Sequence, residues 1–225
     1  MAKSKIIKEL ANNSISLGVA LNRLFVIASD IENEELQQWA ECELHGYGDK
    51  KPPAYRYVKN TIFKYSGING CFQVTNATLP LQEIMGIDDP TMFYVPLVEG
   101  INTIEGYLNK PTGNEVGRDL TWAAGTVYKK IGIQCYSIKQ IIPLNVFEDV
   151  LNSVKMLLMK IFIQLDKTYG CLDDLDIDTD CISPEEIAAT NTTINKYIYV
   201  DNSINIGDKN KIDGSEILSG GKRDG

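Results

Sequence analysis

Apolar residues recur at helical spacing through the first 45 positions. Ile6, Ile7 and Leu10 share one face of a short helix over Lys3 to Ala11. The polar run Asn12-Asn13-Ser14 interrupts it. Ser14 or Ser16 is then placed to cap a second helix, with Leu17, Leu21, Leu24, Phe25 and Ala28 at three-four spacing. Asn33 is placed to cap a third, where Leu36, Trp39, Ala40 and Leu44 form one stripe. Three helices with short connections predict a helical layer.

The period then shifts to two. Tyr57, Thr61, Phe63 and Tyr65 alternate over Tyr55 to Tyr65. Asn69-Gly70 is a favoured turn pair, and Cys71-Phe72-Gln73-Val74 follows as the second strand of a hairpin. Thr78-Leu79-Pro80 opens a short helix ending at Gly86, and Met92 to Val98 is expected to be a strand. Asn102 with Glu105 has the arrangement of a capping box. Residues Asn109 to Asp119 are rich in Gly, Pro and Asn and read as a loop. Leu120 to Lys130 fits neither period, and Ile131 to Ile142 alternates as a strand. The strongest helix follows Pro143: Phe147, Val150, Leu151, Val154, Leu157, Leu158, Ile161 and Leu165 repeat up to Tyr169, with Gly170 placed to end it. The expected fold class is therefore α+β: a three-helix N-terminal layer, a small antiparallel sheet, a long C-terminal helix, then a β-rich polar tail.

Charge divides the remainder. The 225-residue chain carries a net charge of -8. Residues Gly170 to Thr190 hold seven acids and no base; without them 23 acidic residues face 22 basic ones. The body is nearly neutral, which argues against wholesale nucleic-acid binding and leaves room for a local basic patch. The expected division is a domain over 1–170, an acidic linker over 171–190, an Ile/Asn-rich β tail over 191–218 and a disordered end over 219–225. In the tail, Ile204 and Ile206 alternate with polar residues, and Tyr197 and Tyr199 precede them. Such a hairpin is marginal alone and pairs with the body or with further copies.

Five cysteines, an odd number with no C-x-x-C pair, fit free thiols in a reducing cytoplasm. The N-terminus has no apolar core for a signal peptide, and the greasiest run, Val154 to Leu165, is broken by Lys155, Lys160 and Gln164. No membrane association is expected.

Candidate chemistry is sparse. His45 is the single histidine and lies at a helix end, where its bland role is to face the carbonyl terminus. Counted from Asp174, the acidic run places acids at alternate calcium-loop positions, but Thr179 stands where that loop needs Gly, and Pro184 opposes an exiting helix. No Gly-rich phosphate loop and no nucleophile elbow occurs, so no cofactor and no metal is expected. Arg56, Arg118, Lys50, Lys51, Lys59 and Lys64 could form a modest basic face near Tyr55 and Tyr57; an RNA-stacking surface would look like this, but an ordinary exposed strand face looks the same and is the favoured reading.

Asn33-Glu34-Glu35-Leu36 with Trp39, then Glu43-Leu44-His45-Gly46-Tyr47, then Pro53-Ala54-Tyr55-Arg56 resembles the opening of the AbiTii family. Ser14 to Leu17 with Leu21, Leu24 and Ala28, and the long helix near Asn145 to Asp166, are similar too. The resemblance covers roughly residues 3 to 170. It departs in the closing helix, where only Lys155 and Lys160 supply mid-helix charge. The resemblance implies a role in abortive infection, in which infected cells stop growing or die before phage are released. Such domains also occur joined to effectors, which implies an adaptor, sensor or scaffold. The implied partners are further copies, a defence partner protein or a phage component. Three readings stand: a non-enzymatic assembly protein; an RNA-cleaving effector using Tyr47, Tyr55 and Arg56; and a binding module working through the 47–56 loop. Tyr47, Tyr55, Arg56, Tyr197, Tyr199, Ile204 and Ile206 are the candidate interaction residues.

Overall fold

The computed structural model describes residues 3–87, 90–109, 115–173, 177 and 182–199. The chain opens with α1 (Lys5–Ala11), α2 (Leu17–Asp30) and α3 (Glu34–His45). Side chains start two of them: Ser16 accepts from the Val19 amide at 3.3 Å, and Asn33 from the Leu36 amide at 3.1 Å. Gly46, at φ +101°, ends α3 in a conformation that side chains resist.

A 3-10 turn over Ala54–Arg56 leads into β1 (Tyr57–Val58). Then come β2 (Ile62–Asn69), β3 (Phe72–Thr78), α4 (Leu81–Met85), β4 (Val95–Pro96), α5 (Ile101–Asn109), β5 (Glu115–Asp119), α6 (Ala124–Ile131) and β6 (Gln134–Pro143). The main sheet is antiparallel in the order β3-β2-β6-β5, and β1 with β4 forms a separate ribbon. Asn69 pairs with Phe72 around the expected turn. Gly67 lies where β2 shifts register against β6. A Cβ there would stand 2.0 Å from the Gln134 carbonyl oxygen, so the bulge needs glycine.

Helix α7 (Asn145–Tyr169) runs about 37 Å at 1.5 Å per residue and serves two cores. Its N-terminal half packs Phe147 and Val150 with Val58, Leu97, Ile104 and Ile142. Its C-terminal half packs Val154, Leu158, Ile161 and Leu165 against α1, α2 and α3. A third core, with Phe63, Tyr65, Leu81, Val127 and Ile138, lies beneath the main sheet. Ser4 ties the N-terminus down: its amide donates to Asp166 at 3.0 Å, its hydroxyl donates to the same carboxylate, and it accepts from the Leu172 amide at 3.0 Å.

The α+β class holds, and five expectations are corrected. Residues 184–199 are neither linker nor β tail but a helix, α8 (Pro184–Tyr199). Ser183 accepts from the Glu186 amide at 3.2 Å and Pro184 opens the first turn, so the proline expected to oppose a helix starts one. Ile194 and Ile198, four apart, are buried in the same core as α2, α3 and α7. The body therefore does not stop at residue 170. Part of the supposed loop, Glu115–Asp119, is the edge strand β5. Tyr55 to Tyr65 is not one strand, because the chain leaves the β1 ribbon and enters the main sheet around Lys59 and Asn60. Strand Met92 to Val98 shrinks to β4, preceded by a 3-10 turn, and Asn102 lies inside α5 rather than capping it. Ile204, Ile206 and the remainder of the expected tail lie outside the described residues. Among the described residues no helix is long and apolar enough to cross a membrane.

Candidate functional site

The stretch from Trp39 to Arg56 converges on one carboxylate. Glu43 falls on the buried stripe of α3, four residues after Trp39, and is 0% exposed. Arg56, equally buried, forks onto it: Nε donates to Oε1 at 3.1 Å and Nη2 donates to Oε2. The hydroxyls of Tyr47 and Tyr55 also donate to Oε1, at 2.5 and 2.6 Å, and the Trp39 indole donates to Tyr55 at 3.0 Å. The remaining Arg56 nitrogen, Nη1, donates to the carbonyls of Leu97 and Glu99 at 3.1 and 2.7 Å. The Arg56 guanidinium also stacks over the Tyr47 ring, 5.1 Å from its centroid. A buried ion pair is tolerated only when its other donors and lone pairs are also satisfied, and here they largely are.

Backbone closes the seam. The Tyr47 amide donates to the Val98 carbonyl at 2.7 Å, and Leu97 donates to Arg56 at 2.9 Å. A Cβ on Gly46 would stand 2.8 Å from the Val98 oxygen, and one on Gly100 2.3 Å from the Leu44 oxygen. Two glycines thus let the end of α3 lie directly on the 97–100 segment.

Burial, reinforced by the Glu43 charge, raises the phenols of Tyr47 and Tyr55 well above their ordinary range. Burial works against the Arg56 charge, but the Glu43 carboxylate more than offsets it and holds the guanidinium above its usual value. For the tyrosines the sign is that of a raised group. Their contribution to stability is complete below the unfolded phenol value, about pH 10, and is lost as pH climbs above it toward the folded value. The urea midpoint should therefore fall above about pH 10. Tyr47→Phe should start about 1–3 kcal/mol lower at neutral pH, having lost a charged hydrogen bond, and decline less steeply. Equal alkaline slopes for the two proteins would contradict this.

Above the network lies an open groove of about 1530 Å³. Trp39, Cys42, Tyr47 and Tyr55 contribute to one wall, Asp149 to Lys160 of α7 to another, and Tyr197 to Tyr199 of α8 close one end. Tyr94 reaches it from the turn before β4. That turn is held by the buried Gln140 amide, which donates to the Phe93 carbonyl at 2.6 Å, and by Phe63 edge-on to Phe93 at 5.0 Å.

Of the seven candidate residues, four (Tyr47, Tyr55, Tyr197 and Tyr199) line this one groove, although the two pairs lie some 140 positions apart. Arg56 does not join a basic face; it is sealed beneath. Lys50, Lys51 and Lys59 do line the groove, joined by Lys160, whereas Lys64 and Arg118 belong to the main sheet. His45 ends α3 and is exposed. In sequence, Glu43 stands in the signature with no role of its own. The available signal was a carboxylate within an apolar helical stripe, which demands a cationic partner.

An α+β body with a buried acid–base hub at the α3 turn, beneath an aromatic groove, is the architecture carried by the Trp39 to Arg56 signature. The AbiTii family model matches residues 4–192. The chain belongs to the AbiTii family, an abortive-infection phage-defence domain. The match runs on into α8, in keeping with the packing of that helix into the body. No curated protein and no solved structure matches the chain.

Proposed function

We propose that this protein serves abortive infection without catalysis, as an adaptor, sensor or scaffold that takes its signal in the groove and passes it on by assembly. One observation carries the reading. Tyr47, Tyr55 and Arg56, the groups an RNA-cleaving centre would have used, all spend their polar atoms on Glu43 and on backbone carbonyls. A catalytic acid, base or phosphate clamp must reach the reacting atoms, and Arg56 has no exposed surface. What faces outward instead is a set of rings and ammonium groups suited to holding a ligand. Assembly falls to the Ile-rich residues 200–225, which continue from the groove-lining Tyr199.

Two measurements test this. Purified protein incubated with total RNA should leave the RNA intact, and accumulating fragments would overturn the non-catalytic reading. By light scattering the full chain should exceed the mass of one copy, and a chain ending at Tyr199 should fall to one copy. An unchanged oligomer, or single copies in both cases, would sink the role given to residues 200–225.

A further inference from the structure

We propose that the groove binds single-stranded nucleic acid, several nucleotides long, with bases stacked on tyrosine rings and phosphates met by lysines; the inference deepens the recognition role proposed above. Charge is the first support. In a chain of net charge -8, Lys50, Lys51, Lys59 and Lys160 line one groove, where Asp149 is the only lining acid among the described residues. None of the four takes part in a salt bridge among the described residues. Lys50 also donates to the Cys42 sulfur at 3.8 Å, and like charges gathered around one concavity, without a carboxylate partner among the described residues, attract anions.

Ring exposure is the second support. Trp39, Tyr47 and Tyr55 in the first wall are occupied by the Glu43 network. Tyr57, Tyr94 and Tyr197 are only half-buried, and Tyr199 is 61% exposed. Met156, from the facing helix, is 56% exposed in the same groove. Flat rings beside a track of ammonium groups are the recurring solution for sequence-tolerant binding of single strands.

The groove has room for several nucleotides. A pocket for one small molecule measures about 300–1,000 Å³, and this groove is larger at about 1530 Å³. A duplex keeps its base faces stacked internally and offers none to the tyrosines. The arginine in this region, Arg56, is sealed, so phosphates meet lysine point charges and not bidentate forks. Residues 200–225 are a poorer occupant on charge. Their five acids (Asp201, Asp208, Asp213, Glu216 and Asp224) are nearly balanced by Lys209, Lys211, Lys222 and Arg223.

Fluorescence anisotropy of the full chain with labelled RNA and DNA strands of about a dozen nucleotides tests this. Engaging three or four phosphates, the protein should lose about 20- to 50-fold in affinity between about 50 and 200 mM salt. Lys51→Glu with Lys59→Glu, both exposed, should flatten that slope and weaken binding at least about tenfold. Tyr199→Ala should cost about 5- to 150-fold, the effect of one lost stacking platform. The duplex of the same sequence should bind more weakly than either strand. Unaltered melting temperatures establish that the variants fold. Absence of binding at low salt would overturn the inference, as would indifference to both variants or equal binding of poly-glutamate. The RNA and DNA arms report which sugar the groove prefers. A denaturing gel of the same samples separates this inference from the reading beneath it. Shortened strands sink the non-catalytic role whatever the affinity, whereas intact but unbound strands sink only the nucleic-acid ligand.

Discussion

Arg56→Ala should destabilise the protein by about 3–5 kcal/mol, the cost of leaving one partner of a buried ion pair uncompensated. Glu43 would be left without its cationic partner in a site with no exposed surface, retaining only the two tyrosine hydroxyls. The Leu97 and Glu99 carbonyls would lose their donor as well. Arg56→Lys should also lose stability, because a point-charge ammonium cannot serve both carboxylate oxygens and two carbonyls at once. Replacing Glu43 and Arg56 together by methionine should recover only part of the loss: the buried charges are gone, but the Tyr47 and Tyr55 hydroxyls lose their shared acceptor. Urea denaturation of the two single variants and the double variant, read as a cycle, measures the coupling. A loss below about 1 kcal/mol in Arg56→Ala would place the pair in the class of exposed, weak salt bridges and contradict its burial.

Gly100→Ala should cost about 2–3 kcal/mol, the scale of forcing an added methyl into a packed site. The atoms in its way are backbone atoms: Leu44 oxygen at 2.3 Å, Leu44 carbon at 3.0 Å and Gly46 nitrogen at 3.2 Å. They cannot turn aside as a side chain can. The end of α3 must lift off the 97–100 segment, and that shift loosens both the Tyr47 amide bond to Val98 and the Arg56 bonds to the same stretch. Gly67→Ala makes the informative comparison. Its added carbon meets Gln134 oxygen at 2.0 Å within the main sheet, away from the groove. Both variants should lower the urea midpoint, but Gly100→Ala alone should also weaken ligand binding in whatever fraction remains folded. Equal binding by the two would mean that the seam does not hold the groove wall.

Local signals gave much of this fold away. Ser16 and Asn33 cap the helices they were expected to cap, because a short polar side chain before an apolar stripe has one favourable use. The Asn69-Gly70 hairpin and α7 follow from turn chemistry and an unbroken three-four repeat. Over α8 the alternation of Ile with Asn resembles a strand, whereas Ile194 and Ile198 also satisfy helical spacing. Ser183-Pro184-Glu185-Glu186 was the better evidence: a capping hydroxyl, a proline at the first position and acids in the first turn. The edge strand β5 leaves little trace in sequence because a strand with a single neighbour tolerates Gly117 and needs no apolar run.

The site was half legible. Trp39, Glu43, Tyr47, Tyr55 and Arg56 stand out in sequence as polar and aromatic residues in unusual order, yet nothing local shows that their polar atoms meet at one point. Pairing a helix residue with one 13 positions later depends on the Gly46 turn and on the path through Pro52-Pro53. The groove was less legible still, since Lys50, Lys59, Lys160 and Tyr199 are brought together only by the packing of α7 and α8.

Phage plating efficiency on cells expressing the wild-type protein or the Lys51→Glu, Lys59→Glu, Tyr199→Ala variant, with matched melting temperatures, decides most directly whether the groove is the working surface. The expected result is protection by the wild type and plaques at the unprotected level with the variant. Full protection by a folded protein whose groove has lost its charge and its exposed ring would contradict that role.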